Sequence, residues 1–175
     1  MIESPHHSLS VRPMREGDLT SVLMWRNLPE VRRYMYTSHE ITMDEHSRWF
    51  AAASVDPRKH LLIFEMDGQA SGYVNFAEVA PGGIVDWGFY LAPTAPRGSG
   101  RKLGQTALDH AFTKLSFHKV CGKALADNAA SIRMHHALGF VQEGILRHQH
   151  HDRTLYHDVI CFGLISPLWP TYTKR

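Results

Sequence analysis

The stretch LAPTAPRGSGRKLGQTALDHAF, Leu91–Phe112, constrains this chain more than any other. An apolar, strand-like run ends at Leu91, and a turn holding Gly98, Ser99, Gly100 and Gly104 opens a helix. Leu103, Ala107, Leu108, Ala111, Phe112 and Leu115 recur at helical spacing and give that helix one apolar face. A strand, a small-residue turn and a helix that must pack on something flat predict an α/β architecture. The turn also has a chemical meaning. Small residues let backbone N–H groups approach a ligand, the first helical turn leaves those groups without intrahelical partners, and the helix dipole adds positive potential. Arg97, Arg101 and Lys102 add formal charge, so an anion, most often a phosphate, is the expected ligand. The alternative is an exposed turn with solvated cations.

The remaining chain fits one domain over residues 1–175. Leu9–Met14 reads as a first strand, followed by a helix capped by Asp18 and carrying Leu19, Val22 and Leu23. A short turn begins at Pro29, and Thr42 with Glu45 at capping-box spacing predicts a helix over Met43–Ala53. Three strands follow, His60–Met66, Ala70–Ala77 and Ile84–Leu91, joined by turns at Asp67–Gly68 and Pro81–Gly83. After the long helix come a strand at Lys119–Ala126 and a helix at Ala129–Leu138 closed by Gly139. A hairpin of Val141–Gln149 and Thr154–Leu164 ends the fold. This order predicts a mixed sheet with helices on its faces.

Composition excludes several classes. A formal charge of +2 and no long basic run argue against a nucleic-acid partner. No apolar run approaches the ~20 residues a membrane span needs. The opening segment has no apolar leader core, so a cytoplasmic protein is expected. Cys121 and Cys161, in apolar strand-like stretches, read as buried free thiols. Thirteen histidines make pH dependence near neutrality an expectation. His148 and His150 invite a metal reading, but they fall at a hairpin tip without a cysteine or a clear carboxylate trio, and no metal is expected.

Three phosphate loops compete for the glycine turn. A Walker A loop ends in GK[ST], which is absent, and Leu103 occupies the third glycine place of a dinucleotide fingerprint. The third pattern, R/Q-x-x-G-x-G/A, matches Arg97, Gly98, Ser99, Gly100 and Arg101. Lys102 stands at the sixth place, where glycine or alanine is usual, and Gly104 is expected to relieve the crowding. That pattern belongs to the coenzyme A loop of the GNAT acetyltransferases, which the chain resembles over nearly its whole length. WGFYLAP, Trp87–Pro93, resembles the family's fourth strand, which splays from the fifth and holds the pantetheine arm. ADNAASIRMHHALGF resembles a family segment at Asn128, Ser131, Ile132, Gly139 and Phe140, with His135 where many members carry tyrosine. WRNLPEVRRYMYTSHEITMDEHSRWF, Trp25–Phe50, resembles the branch that acetylates a UDP-linked 4-amino-4,6-dideoxy sugar in pseudaminic acid biosynthesis.

The resemblance implies a GNAT acyl-CoA N-acyltransferase fold, with a central, mostly antiparallel, twisted sheet flanked by helices. It implies acetyl-CoA as cosubstrate and no metal. Phe89, Leu91, the loop Arg97–Gly104 (Arg97, Gly98, Ser99, Gly100, Arg101, Lys102, Leu103, Gly104) and Asn128 are the implied coenzyme contacts. The N–H groups of Phe89, Tyr90 and Leu91 are the implied donors to the acetyl carbonyl. Arg26, Met35, Tyr36 and His46 are the implied acceptor contacts, Arg26 pairing with the diphosphate. Trp49 reads as core or, alternatively, as an aromatic face for uracil.

Chemistry adds its own candidates. A leaving thiolate needs a proton, and His135 is the first candidate general acid, the alternative being a surface histidine beside His136; Tyr90 is the second donor. Asp86 alternates with Gly88 and Tyr90 and is a candidate base, or else a solvated, strand-end aspartate; His46 is a candidate proton relay. The expected acceptor is a small molecule, a UDP-aminosugar. A ribosomal-protein or protein N-terminal acetyltransferase and a non-catalytic acyl-CoA-binding module are the rival readings. A homodimer is left open.

Overall fold

The computed structural model describes residues 8–170. Most of the segment read as leaderless and the last five residues lie outside the described ones. Seven strands form one sheet in the order β1-β2-β3-β4-β5-β7-β6. They are β1 Leu9–Pro13, β2 Lys59–Met66, β3 Gln69–Ala80, β4 Ile84–Leu91, β5 Lys119–Leu125, β6 Val141–His151 and β7 Tyr156–Ile165. The helices are α1 Leu19–Asn27, α2 Pro29–Arg32, α3 Met43–Ala53, α4 Ser99–Thr113 and α5 Ala129–Ala137. All neighbouring strands run antiparallel except β4 and β5, which α4 joins by a parallel crossover.

Strand alternation assigns the two faces. On β2, Leu62, Phe64 and Met66 enter the cluster under α4, with Val74, Phe76, Val85, Leu103, Leu108 and Phe162. Ile63, one residue out of step, enters the opposite cluster with Val22, Trp25, Phe50 and Tyr73 beneath α1 and α3. Each fully buried side chain of this size contributes about 1.5–3 kcal/mol relative to exposure. The sheet is therefore a middle layer, with α1–α3 on one side and α4 and α5 on the other.

Local chemistry explains the boundaries. Thr42 and Glu45 form the reciprocal capping box that the spacing predicts, and α3 spans the expected residues. Asp18 behaves differently. It stands at the start of α1 but makes no side-chain cap there. Its carboxylate accepts from the Arg15 N–H and pairs with both Arg12 terminal nitrogens at 2.8 and 2.9 Å. Arg12 also donates to Glu65, so this cluster ties α1 to β1 and β2. β3 continues to Ala80, past the predicted end at Ala77, because Glu78 still pairs with Val85. Cys121 and Cys161 are free thiols, but half-buried ones, since no helix covers that face of β5 and β7 completely.

Candidate active site

β4 is the centre of the site. Its parallel pairing with β5 covers only Ile84, Val85 and Asp86, and beyond Asp86 the two strands part. On the other edge β4 stays paired to β3 through Leu91. The Ala92 N–H donates to Ser71 O at 2.9 Å. Backbone alternation then turns the amides of Gly88 and Tyr90 toward β3 and those of Phe89 and Leu91 toward the missing β5 partner. By this alternation the N–H groups of Phe89 and Leu91 point into the cleft. That of Tyr90 does not: it belongs to the β3 ladder.

The cleft between the parted strands has a volume of about 820 Å³. Phe89, Leu91, Arg97, Gly98, Gly100 and Arg101 line it, and Asn128 and Lys123 stand across from them. Gly98 adopts φ 88°, the left-handed conformation glycine tolerates, and so turns the chain into α4. The Ser99 N–H is taken by Pro96 O, whereas Gly100 and Arg101 lie in the first turn, where a helix supplies no acceptor. Asn128 caps α5 through its Oδ1, which accepts from the Ser131 N–H, and still reaches the cleft.

Four members of the predicted loop do something else. Ser99 is buried with its hydroxyl against Met66 Sδ, and the Leu103 side chain is core. Gly104 does not relieve crowding near Lys102. Its bare face receives Leu138, and a Cβ there would stand 2.5 Å from Leu138 Cδ1. Lys102 lies outside the cleft lining.

A second cavity, about 510 Å³, opens on the α1–α3 face of the sheet. Arg26, Met35, His46, Trp49, Tyr73 and Asn75 line it, with Lys59 and Glu45 at its rim. Met35, Gly88, Phe89 and Tyr90 line both cavities, so the two meet across β4. Among the described residues, Arg26 Nη1 and His46 Nε2 are buried without a hydrogen-bond partner, and both residues face this second cavity. Burial lowers the pKa of each below its ordinary value. Trp49 is not core: it is 37% exposed and stacks on His46 with ring centroids 5.1 Å apart. Tyr36 lies outside the cavity lining, exposed and tilted against His150 at 5.2 Å.

The acid–base candidates sort sharply. His135 is neither a surface residue nor a free acid; it is 1% exposed. Its Nδ1 lies 2.8 Å from Ser131 O, which only accepts, and its Nε2 lies 3.1 Å from Trp87 Nε1, which only donates. The partners therefore fix a neutral imidazole with the proton on Nδ1, and burial lowers its pKa further. No proton remains on Nε2 to give away. Asp86 is pinned to Lys123 at 2.8 Å and lines neither cavity, which removes it as the base. Tyr90 is placed where the cavities meet. Burial pushes its phenol well above the ordinary value, with Arg26 opposing, so it stays protonated at neutral pH.

Asn75, Tyr73, Lys59 and Lys123 are site residues that sequence reasoning missed. Nothing local marks them, because each is brought in by strand register. At the hairpin tip, the register shifts between Leu146 and His150 and His148 takes φ 52°, so the alternation behind the metal reading does not carry through. No group of three or more histidine, cysteine or carboxylate side chains is arranged to hold a metal among the described residues.

Residues 8–141 match the acetyltransferase (GNAT) domain family. The chain belongs to this family. It is an acetyl-CoA-dependent N-acetyltransferase of GNAT type. The chain is 25% identical over 156 residues to the spermidine N(1)-acetyltransferase of Escherichia coli K12, covering 88% of this chain and 84% of that protein. It is 38% identical over 81 residues to the SPbeta prophage-derived uncharacterized N-acetyltransferase YokL of Bacillus subtilis, covering 45% of this chain and 46% of that protein. The crystal structure of Vibrio cholerae spermidine N-acetyltransferase with CoA and spermine superposes with a TM-score of 0.85 at 23% identity, covering 91% and 96% of the two chains. No helix among the described residues is long and apolar enough to cross a membrane.

Proposed function

We propose that this GNAT enzyme acetylates the amine of a small, anionic acceptor, a UDP-linked 4-amino-4,6-dideoxy sugar. The observation that carries this reading is Arg26 Nη1, a buried guanidinium nitrogen without a hydrogen-bond partner on a side chain that lines the acceptor cavity, with the unpartnered His46 Nε2 on the same lining. A buried guanidinium nitrogen without a partner costs stability in the free enzyme and favours a ligand that brings an acceptor oxygen. A diphosphate does so. Lys59 adds a further cation at the rim. Trp49, half-exposed and stacked on His46, offers an aromatic face to a base.

The similarity to spermidine acetyltransferases supports a second reading, a polyamine acceptor. The charge of the cavity favours the anion. Glu45 is the carboxylate at its rim, and its oxygens already accept from Thr42 and approach His39. Lys59 stands 4.0 Å from Asp56, so a polycation would be opposed chiefly by the Arg26 guanidinium, whose side-chain bond goes to the Thr37 carbonyl.

Coenzyme A supplies the acetyl thioester. Arg97, Arg101 and the first-turn amides of α4 hold its phosphates, and Phe89 and Leu91 hold the arm extended. Met35, Gly88 and Tyr90 form the passage through which amine and thioester meet. Holding both in one channel provides much of the acceleration. The Tyr90 hydroxyl delivers the proton that the departing thiolate takes as the C–S bond breaks and the C–N bond forms, and its phenolate recovers the proton that the acetylated nitrogen loses.

The test offers a UDP-4-amino-4,6-dideoxy sugar, spermidine and an N-terminal peptide side by side with acetyl-CoA, and follows free-thiol release. The sugar is expected to give the highest kcat/KM. Preferential turnover of spermidine or peptide overturns the acceptor assignment.

A further inference from the structure

We infer that His135 is a positioning residue: through Trp87 it wedges open the fork between β4 and β5. The inference rests on the coenzyme cleft and not on the identity of the acceptor.

The last β4–β5 pair is Asp86 with Cys121, so Trp87 and Gly122 are the next residues on each strand. They are the place where pairing would continue if the strands zipped. Instead, the Trp87 indole donates to His135 Nε2 at 3.1 Å. His135 is held from behind by its Nδ1–H bond to Ser131 O at 2.8 Å. It stacks on Phe162 of β7 with centroids 4.6 Å apart and meets Phe140 edge-on at 5.0 Å. Trp87 is fixed in turn against Phe140 and Phe76.

Gly122 completes the device. A Cβ at that position would run into His135 Nε2 and stand 3.0 Å from Trp87 Nε1. The imidazole and indole can meet in the crotch of the fork only because β5 carries no side chain there. One buried hydrogen bond thus ties β4 to α5 across bare β5 backbone. Its effect is to keep the outward amides of Phe89 and Leu91 from finding a partner in β5. Those amides are what an extended coenzyme arm pairs with. His135 therefore acts on acetyl-CoA binding through strand separation, whereas a proton donor at this position would act on turnover.

The two roles give opposite kinetic signatures in the whole protein. His135→Phe keeps an aromatic ring to stack on Phe162 and loses the Nε2 acceptor. The wedge predicts coenzyme A affinity, measured by calorimetry without any acceptor, weakened roughly tenfold, as expected for loss of a buried hydrogen bond. It predicts kcat at saturating acetyl-CoA within about twofold of wild type. His135→Gln, which restores an acceptor oxygen, should recover most of the affinity. A collapse of kcat with unchanged affinity overturns the inference in favour of a proton donor, and unchanged values of both overturn it outright. Failure of His135→Gln to improve on His135→Phe also counts against it. Should the His135 variants not fold, Trp87→Phe removes the donor with His135 intact and should weaken coenzyme binding alike. The wild-type protein provides a separate readout. The 15N-labelled Trp87 indole N–H, assigned by its absence in Trp87→Phe, should be protected from solvent exchange; free exchange overturns the wedge.

Discussion

Asn75 on β3 lies directly opposite Gly88 on β4, and its Oδ1 occupies the space a Gly88 side chain would need. A Cβ on Gly88 would come within 2.9 Å of that oxygen. Gly88 lines both cavities, so the pair sits at the passage between coenzyme and acceptor. Gly88→Ala must therefore push the carboxamide into the acceptor cavity or push β4 toward the coenzyme. The expected result is a folded enzyme whose kcat/KM falls about 10- to 100-fold, the effect of misplacing reactants by about an ångström. Asn75→Ala in the same chain should return part of the loss, because it removes the group that is displaced. Steady-state kinetics on the two single variants and the double variant give the coupling directly.

Arg26 donates from Nη2 to Thr37 O at 3.1 Å, while Nη1 is buried without a partner on a side chain that lines the acceptor cavity. One nitrogen anchors the loop after α2, and the proposed acceptor contact falls to the other. Arg26→Gln should raise the acceptor KM about 10- to 100-fold, in line with a lost charge-assisted hydrogen bond. The KM for acetyl-CoA should stay within about twofold, since Arg26 does not line the coenzyme cleft. Arg26→Lys keeps the charge and loses the paired geometry, and its KM should fall between. A parallel change in both KM values would place Arg26 in the structure of the whole site and remove its role as an acceptor contact.

The parts of the fold set by short-range chemistry were legible in advance. The Thr42–Glu45 box set the start of α3, and Asp67–Gly68 and Pro81–Gly83 set two hairpins. Gly98 was legible because a turn into a helix with φ 88° needs glycine. What depends on distant partners was not. His135 lies on a short helix with a weak apolar pattern, and only Trp87, Gly122 and Phe162 from three separate strands make it a core residue. Trp49 looked like core because tryptophan usually is, yet the sheet below leaves its face in a cavity. Asp18 reads as a cap from its place in sequence, while Arg12, six residues earlier, takes its carboxylate. Gly104 shows the same limit in reverse: its place in the loop suggested a ligand contact, and α5 supplied a packing reason.

Stability should fall on mild acidification. Burial holds His135 below the usual histidine pKa of 6.5, and His46, His60 and His110 are lowered for the same reason. The unfolded chain takes up these protons first, so it binds more protons than the folded chain below about pH 6.5. The stabilisation is full above that pH and is lost as pH falls toward the folded-state values. Tm measured from pH 8 to pH 5 should drop, and His135→Phe should drop less steeply because one of the four groups is gone. A Tm profile that is flat over this range, or one equally steep in the variant, would contradict the assignment.

The contact of Gly104 with Leu138 separates two accounts of the same glycine. A role beside Lys102 in the coenzyme loop predicts that Gly104→Ala weakens coenzyme A binding and leaves stability alone or raises it, since alanine favours a helix over glycine by about 1 kcal/mol. The structure predicts the reverse. The new Cβ would stand 2.5 Å from Leu138 Cδ1 and 3.2 Å from Cδ2, and Leu138 is itself buried between α4 and α5. Leu138 must leave its rotamer or α5 must move, at a cost of about 1–3 kcal/mol. That exceeds the gain in helix propensity in most of its range, so Tm should fall by a few degrees, at about 2–4 °C per kcal/mol for a chain of this size. Coenzyme A affinity should change less than about threefold, because the bare face of Gly104 points away from the cleft. Leu138→Ala, destabilising alone through the cavity it opens, should cost less when combined with Gly104→Ala, since the two changes fill and empty the same space. Additive losses in that cycle would show that the two residues do not share the contact, and the α4–α5 explanation for Gly104 would fail.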